Sequence, residues 1–215
     1  QFRSVSIRKI RVIRGPSSTS QSVVSRDGAA IATNLVWLVM TGFVFAYIWK
    51  YGRNFPYMED WELVPTLSGA TPFRFSWLLD QTGEHRYILA KAILYPLWQL
   101  TYDGRSSMVV SALLLSAITL ALIVTARRLR GHSSLADAFF PLALLHPGHA
   151  ETLIFFIQLC FVLPVALFTT ALIIIATGRW ERSPAAAWTL AICVALLPLN
   201  GAIGLLIAPA LVVWM

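Results

Sequence analysis

The segment Glu59-Asp60-Trp61-Glu62 places three acids next to one another in a chain that has only ten. A carboxylate in such a segment can accept a proton from a hydroxyl nucleophile or bind a metal ion. The same residues also suit a structural role, because Asp60 can cap a short helix while Glu59 and Glu62 favour its positive N-terminus. The sequence leaves both interpretations open.

Glu84, His85 and Arg86 form a second group of residues that could do chemistry. Arginine binds phosphate through its forked guanidinium, and histidine can donate or accept a proton near neutral pH. The alternative is a solvated turn in which Glu84 and Arg86 pair with neighbouring charges. Three adjacent polar residues are common, so their spacing does not separate the two interpretations.

A third group, His146, His149 and Glu151, has side chains that can bind a metal, although its spacing matches no strong metal motif. A Pro-Gly turn between the histidines also explains the pattern. Gln158 is a polar residue inside an apolar run, where it either serves the function or hydrogen-bonds a neighbouring helix. We therefore predict no cofactor, and a divalent metal is compatible with these residues but not implied by them.

The chain around these groups is strongly apolar. Of its 215 residues, 57% are hydrophobic and 13% are charged, whereas soluble domains are about 45–50% apolar and about 25% charged. The composition argues against a soluble domain, a disordered chain and a nucleic-acid-binding protein, because the bases behind the net charge of +7 lie beside apolar runs. Cys160 and Cys193 lie inside apolar runs, so we expect neither a disulfide framework nor a zinc site.

Apolar runs of the length that crosses a bilayer, about 20 residues, occupy much of residues 31–215. The uncharged run 183–215 is too long for one crossing, and Pro198, Asn200 and Gly201 supply a turn in its middle. We predict an all-α, polytopic helical membrane protein with interfacial helices in a long first exterior loop. Its membrane domain, residues 31–215, has predicted spans at about 31–49, 106–126, 153–177, 184–199 and 202–215, and a weaker one at 135–147.

The distribution of lysine and arginine predicts how these spans are oriented. Residues 1–30 hold six of the seventeen bases, and we predict that they form a flexible cytoplasmic tail. Placing Arg127–Arg130 and Arg179–Arg182 on the same side leaves the loop at 50–105 on the exterior. This orientation requires residues 87–102 to form a helix at the outer interface, whereas a rival topology makes them a span and moves Arg127–Arg130 outside.

Four short motifs stand out along the chain: MEDWELVP (58–65), GEHR (83–86), HAETLIFFIQ (149–158) and LNGAIGLLIAPAL (199–211). Together with the layout of the spans, they resemble the N-terminal portion of GT-C superfamily membrane glycosyltransferases of the type that uses polyprenyl-phosphate sugars. Gly83 departs from that pattern, because the family motif often has asparagine there. The chain stops within an apolar run, which also leads us to expect a piece of a longer protein.

The resemblance implies sugar transfer from a polyprenyl-phosphate donor to a hydroxyl of a lipid, glycan or protein acceptor on the outer face of a bacterial plasma membrane. It implies that Asp60 deprotonates the acceptor, with Glu59 as the substitute. It also implies that Arg86 and His85, together with Glu84, bind the phosphate and sugar of the donor. The secondary candidates are His149, Glu151 and Gln158.

Two other classes of function stay open at the level of the sequence. A transporter or flippase of a lipid-linked sugar would use the same arginine and aromatic residues without a chemical base. A non-catalytic membrane subunit would use the acids as helix caps and the loop to dock a partner. In all three classes the chain contacts membrane lipids and binds no nucleic acid.

Overall fold

A computed structural model describes residues 22–214, and this part of the chain forms ten α-helices and several 3₁₀ turns but no β-strand. The prediction of an all-α fold is therefore confirmed. Most of the predicted tail, residues 1–21, lies outside the described residues, whereas α1 already begins at Ser22. The helices are α1 (Ser22–Tyr51), α2 (Val64–Leu67), α3 (Ile88–Thr101), α4 (Arg105–Arg130), α5 (Phe139–Leu144), α6 (Ala150–Ile154), α7 (Leu159–Ala176), α8 (Arg179–Arg182), α9 (Pro184–Leu196) and α10 (Ala202–Trp214).

Within the described residues, three helices are long and apolar enough to cross a membrane: α1 from Gly28 onwards, α4 and α7. They cover the predicted spans at 31–49 and 106–126 and most of the one at 153–177. The last of these helices starts only at Leu159, because the backbone is irregular just before it. The segments that match the last two predicted spans, Pro184–Asn200 and Ala202–Trp214, are apolar but shorter.

Helices α1 and α4 pack antiparallel through small polar side chains. Trp37 donates from Nε1 to the carbonyl of Ser116 over 3.1 Å, and the hydroxyl oxygens of Thr41 and Ser116 lie 2.8 Å apart. Such bonds join helices in apolar surroundings, where water does not compete for polar groups. Arg127 donates to the carbonyl of Ala30. We therefore call the end of the bundle where α1 begins and α4 ends the Arg127 end, and the opposite end the loop end.

The connection at residues 131–158 runs from the Arg127 end to the loop end. At its beginning, the guanidinium of Arg130 contacts the carboxylate of Asp137. At its other extremity, the backbone N–H of Ile157 donates to the carboxylate of Asp60. Helix α7 therefore starts at the loop end and runs back along α4.

The predicted weak span at 135–147 is a chain of short pieces within this connection. A 3₁₀ turn at Leu135–Ala138 leads into the six-residue helix α5, which is only about 9 Å long. Pro147 then starts another 3₁₀ turn, because its ring blocks continuation of the preceding helix. This segment is therefore not a single spanning helix.

Helix α3 begins and ends at the loop end. Tyr87, just before it, lies against Gly201 at the turn between α9 and α10, where a Cβ atom would be 3.4 Å from the Tyr87 ring. Tyr102, just after it, accepts a hydrogen bond from the side chain of Asn54, which follows α1. Helix α3 thus crosses the loop end and does not run between the two ends of the bundle.

A buried lysine in α3 binds the segment of the 50–105 loop that contains Trp77 and Asp80; we call this segment the loop segment. Lys91 is 1% exposed, and its Nζ donates to the carbonyls of Trp77 and Asp80 over 3.2 and 2.6 Å. The ammonium also lies 5.2 Å from the ring centroid of Trp77, close enough for a cation–π interaction. Burial lowers the pKa of Lys91. The two carbonyls accept hydrogen bonds from its amino group where water is excluded.

A buried carboxylate closes the Arg127 end. Asp137 is fully buried, and both of its oxygens accept from Arg130, over 2.5 and 2.6 Å. The backbone N–H of Ser134 donates to the same carboxylate over 3.1 Å. Asp137 therefore fixes the turn that follows α4.

We predict that Asp137→Asn lowers the free energy of unfolding by about 1.5–3 kcal/mol, the usual contribution of hydrogen bonds to a charged group. Asp103→Asn is the matched control, because Asp103 forms a more exposed pair with Arg105 that should contribute less than about 1 kcal/mol. Thermal unfolding of the detergent-solubilised chain measures both variants. Equal shifts for the two variants would contradict this account of the turn.

Candidate functional site

Two cavities adjoin at the loop end and share Glu84 and His85 as a common wall. We call the first, of about 310 Å³, the acidic cavity, and the second, of about 370 Å³, the Arg86 cavity. The acidic cavity is lined by Tyr57, Met58, Glu59, Glu84, His85, Tyr87, Glu151, Phe155, Ile157, Gln158 and Phe161. The Arg86 cavity is lined by Gln81, Glu84, His85, Arg86, Ile88, Pro198, Gly201, Ala202 and Leu205.

A tight turn places the shared wall between the cavities. The backbones of Thr82 and His85 exchange two hydrogen bonds of 2.9 and 3.2 Å, which reverses the chain over the GEHR motif. Gly83 has a φ of +58°, a conformation that glycine adopts without steric cost. Its N–H donates to Glu62 over 2.8 Å, so the turn is tied to the acidic segment that follows α1.

Gly83 is also needed because Glu59 lies against it. A Cβ atom at position 83 would be 2.7 Å from Oε1 of Glu59, closer than two such atoms can approach. A side chain at this position would displace the Glu59 carboxylate. The absence of a side chain at position 83 therefore allows the Glu59 carboxylate to occupy its present position.

Three carboxylates face the acidic cavity: those of Glu59, Glu84 and Glu151. None of them is among the salt bridges of residues 22–214. An exposed carboxylate without a cationic partner can accept a proton from a hydroxyl group held beside it. The described residues contain no group of three or more histidine, cysteine or acidic side chains placed to hold a metal ion.

Asp60, the predicted base, lies behind the wall of the acidic cavity. It is fully buried, and its two oxygens accept from the backbone N–H groups of Ile157, over 2.9 Å, and Tyr57, over 3.2 Å. Burial raises the pKa of Asp60, and these N–H donors act in the opposite direction. Asp60 thus binds backbone N–H groups, one of them at the N-terminus of its own 3₁₀ turn, while the neighbouring Glu59 is the acid that lines the cavity.

The secondary candidates are divided between two places. Glu151 and Gln158 line the acidic cavity. His149 lines a separate, smaller cavity, and its Nε2 lies 2.9 Å from the carbonyl of Ala143. His146 accepts from the N–H of Gly148 within its own turn. The structure therefore does not bring the two histidines and Glu151 together around one point.

Arg86 lies in the second cavity, against apolar side chains. The lining also includes Pro198, from the turn between α9 and α10, and Ala202 and Leu205, from the start of α10. Arg86 is exposed and is not among the salt bridges of the described residues. A guanidinium beside an apolar wall suits a ligand that combines an anionic group with a hydrocarbon chain.

The aromatic residues of the acidic cavity were not among the predicted site residues. The rings of Tyr57 and Phe155 stack with centroids 4.4 Å apart and planes at 9°, and Tyr87 packs edge-on against Phe161. Burial raises the pKa of Tyr87, so its hydroxyl stays protonated. Tyr87 directly follows GEHR, and Phe155 lies inside HAETLIFFIQ. Their proximity to these motifs is the sequence feature that could have identified them as site residues.

Comparison with protein-family models, with curated proteins and with solved structures finds no match to this chain. The function is therefore argued from the geometry of the two cavities.

We predict that Gly83→Ala lowers the free energy of unfolding more than Gly69→Ala does. Both glycines have positive φ, but no atom lies within 4 Å of a Cβ at Gly69, so that variant measures the backbone cost alone, about 1–2 kcal/mol. Gly83→Ala should cost about 0.5–1 kcal/mol more. This is the low end of the interaction energies between residues in contact, because the Glu59 side chain can move away from the added methyl group.

A double-mutant cycle provides the control for this comparison. In a Glu59→Ala background the surplus cost of Gly83→Ala should disappear, because the clashing carboxylate is absent. Chemical or thermal unfolding in detergent micelles measures all four variants. A surplus that persists without the Glu59 carboxylate would show that another contact makes the glycine necessary.

Proposed function

We propose that this chain is a membrane glycosyltransferase that moves a sugar from a polyprenyl-phosphate donor to a hydroxyl acceptor. The observation that carries the proposal is the adjacency of the two cavities, one with the exposed carboxylate of Glu59 and the other with the guanidinium of Arg86. A base and a phosphate-binding group on either side of a common wall suit a reaction between two substrates. Glu84 and His85 form that wall, where the sugar would be held.

The membrane setting follows from the apolar helices. Three helices have the length and composition of membrane spans, and α1 exposes Leu35, Leu38 and Val39 to the extent of 57%, 59% and 59%. Such a continuous apolar face is typical of a surface covered by lipid. In our proposal the chain is a polytopic protein of a bacterial plasma membrane, with a cytoplasmic N-terminus and an exterior loop end, in agreement with the distribution of its bases.

The donor occupies the Arg86 cavity. Its hydrocarbon chain continues from the apolar wall at Pro198, Ala202 and Leu205 into the bilayer, while its phosphate meets the Arg86 guanidinium. Negative charge develops on that phosphate as the bond to the sugar breaks, and a fixed cation stabilises it. His85, in the shared wall, is placed to contact either the phosphate or the sugar.

The acceptor occupies the acidic cavity, with its hydroxyl directed at Glu59. Glu59 removes the hydroxyl proton as the oxygen attacks the sugar, and the released polyprenyl phosphate leaves on the side of Arg86. Glu59 is assigned as the base in preference to Asp60, because both oxygens of Asp60 accept backbone N–H groups and the side chain has no exposed surface. Glu151 and Gln158 are placed to bind other groups of the acceptor.

We predict that Glu59→Gln lowers kcat by about 100-fold or more, because general base catalysis typically contributes this much. The assay measures the release of polyprenyl phosphate from a panel of labelled polyprenyl-phosphate hexoses by the full chain in lipid vesicles. Glu181→Gln is the control, because Glu181 lies in α8 and lines neither cavity. The kcat of this variant should equal that of the wild type. Full activity of Glu59→Gln would remove Glu59 from the mechanism.

Arg86→Ala should weaken turnover by about 10- to 100-fold, the equivalent of hydrogen bonds to a charged group. Arg86→Lys should recover only part of this loss, because an ammonium keeps the charge but lacks the forked geometry. Arg53→Ala is the control, since Arg53 is an exposed arginine outside both cavities. Donor that crosses the vesicle membrane without release of polyprenyl phosphate would indicate a transporter and contradict the proposal.

A further inference from the structure

We infer that Asp60 is a positioning residue whose carboxylate holds together the two chain segments that form the wall of the acidic cavity. The kinetic part of this inference rests on the proposed transferase function. The structural part can be tested without any substrate.

The two hydrogen bonds of Asp60 end on segments that line the cavity. Oδ2 accepts from the N–H of Tyr57, at the start of the segment that carries Met58 and Glu59. Oδ1 accepts from the N–H of Ile157, which lies 97 residues further along the chain. One side chain thus joins the acidic segment after α1 to the irregular segment before α7.

Stacking of Phe155 on Tyr57 also ties the segment before α7 to the acidic segment, and the hydrogen bond to Asp60 adds to that contact. Phe155 is extended, with φ −117° and ψ 142°, so the regular hydrogen bonding of α6 stops there. The N–H of Ile157 comes just before α7 and would otherwise be buried without an acceptor, which is unfavourable. On its other side Phe156 fills the space beside Gly104, where a Cβ atom would be 2.5 Å from its ring. The carboxylate and this packed ring together fix Phe155 and Gln158 in the wall.

A carboxylate suits this position better than its amide. Both neighbours donate N–H groups, and a carboxylate offers only acceptors, whereas asparagine must turn its NH₂ group toward one of them. Asp60→Asn therefore keeps one of the two hydrogen bonds. At the other position, the NH₂ group of asparagine faces a backbone N–H, so two donors meet without an acceptor. The side chain keeps its size, so packing around position 60 changes little.

Hydrogen–deuterium exchange of the full chain in detergent micelles tests the structural role. In Asp60→Asn we expect amide exchange to rise by about tenfold over the segment that loses its hydrogen bond, residues 57–60 or residues 155–158, the change that corresponds to one lost hydrogen bond. Asp137→Asn is the matched control, because Asp137 is an equally buried carboxylate in a similar 3₁₀ turn at the opposite end. It should raise exchange around residues 131–138 and leave 155–158 unchanged.

The kinetic arm separates positioning from chemistry. A positioning role predicts that Asp60→Asn raises KM more than it lowers kcat and leaves the pH profile of kcat unchanged. Glu59→Gln should instead lower kcat more than it changes KM, because it removes the proton acceptor.

Two results would overturn the inference. One is exchange over both 57–60 and 155–158 that stays at the wild-type rate in Asp60→Asn, and the other is a rise spread evenly over the whole chain. A large loss of kcat with wild-type exchange would make Asp60 part of the chemistry and leave the transferase function intact. Absence of transfer in every variant, with the local rise in exchange present, would refute the proposed function and keep the structural role of Asp60.

Discussion

The hydrogen bond from the backbone of Ile157 to Asp60 is the contact on which the architecture of the loop end depends. It brings the start of α7 against the acidic segment that follows α1. Together with the stacking of Tyr57 on Phe155, it places Glu59 and Gln158 in the wall of one cavity. Buried N–H groups must find an acceptor, and in this irregular segment the Asp60 side chain supplies the acceptor for Ile157.

The molecule uses buried charge in the same way at both ends. Asp60 at the loop end and Asp137 at the Arg127 end each bind the backbone N–H at the start of a 3₁₀ turn and reach to a second element. Lys91 binds two carbonyls of the loop segment in a comparable manner. These charges therefore fix irregular backbone, which leaves Glu59, Glu84, Glu151 and Arg86 as the charges that line the cavities.

The candidate site could be predicted in part from the motifs. Glu59, Glu84, His85 and Arg86 all line the adjoining cavities, and they were selected by residue type together with the resemblance of their motifs. The sequence could not separate Asp60 from Glu59, because adjacent acids look alike until the backbone directs one inward and the other outward. It also could not show that His149 lies apart from Glu151, since that depends on the turn that begins at Pro147.

The sequence by itself determined the helical class and the three long apolar helices, because both follow from composition and from the length of uncharged runs. Tertiary structure decided that residues 135–147 form short pieces and that α7 starts only at Leu159. Proline and the acceptor supplied by Asp60, 97 residues distant from Ile157, shape that backbone. Hydropathy measures transfer from water to an apolar phase, and it carries no information about which distant side chain will satisfy a particular N–H group.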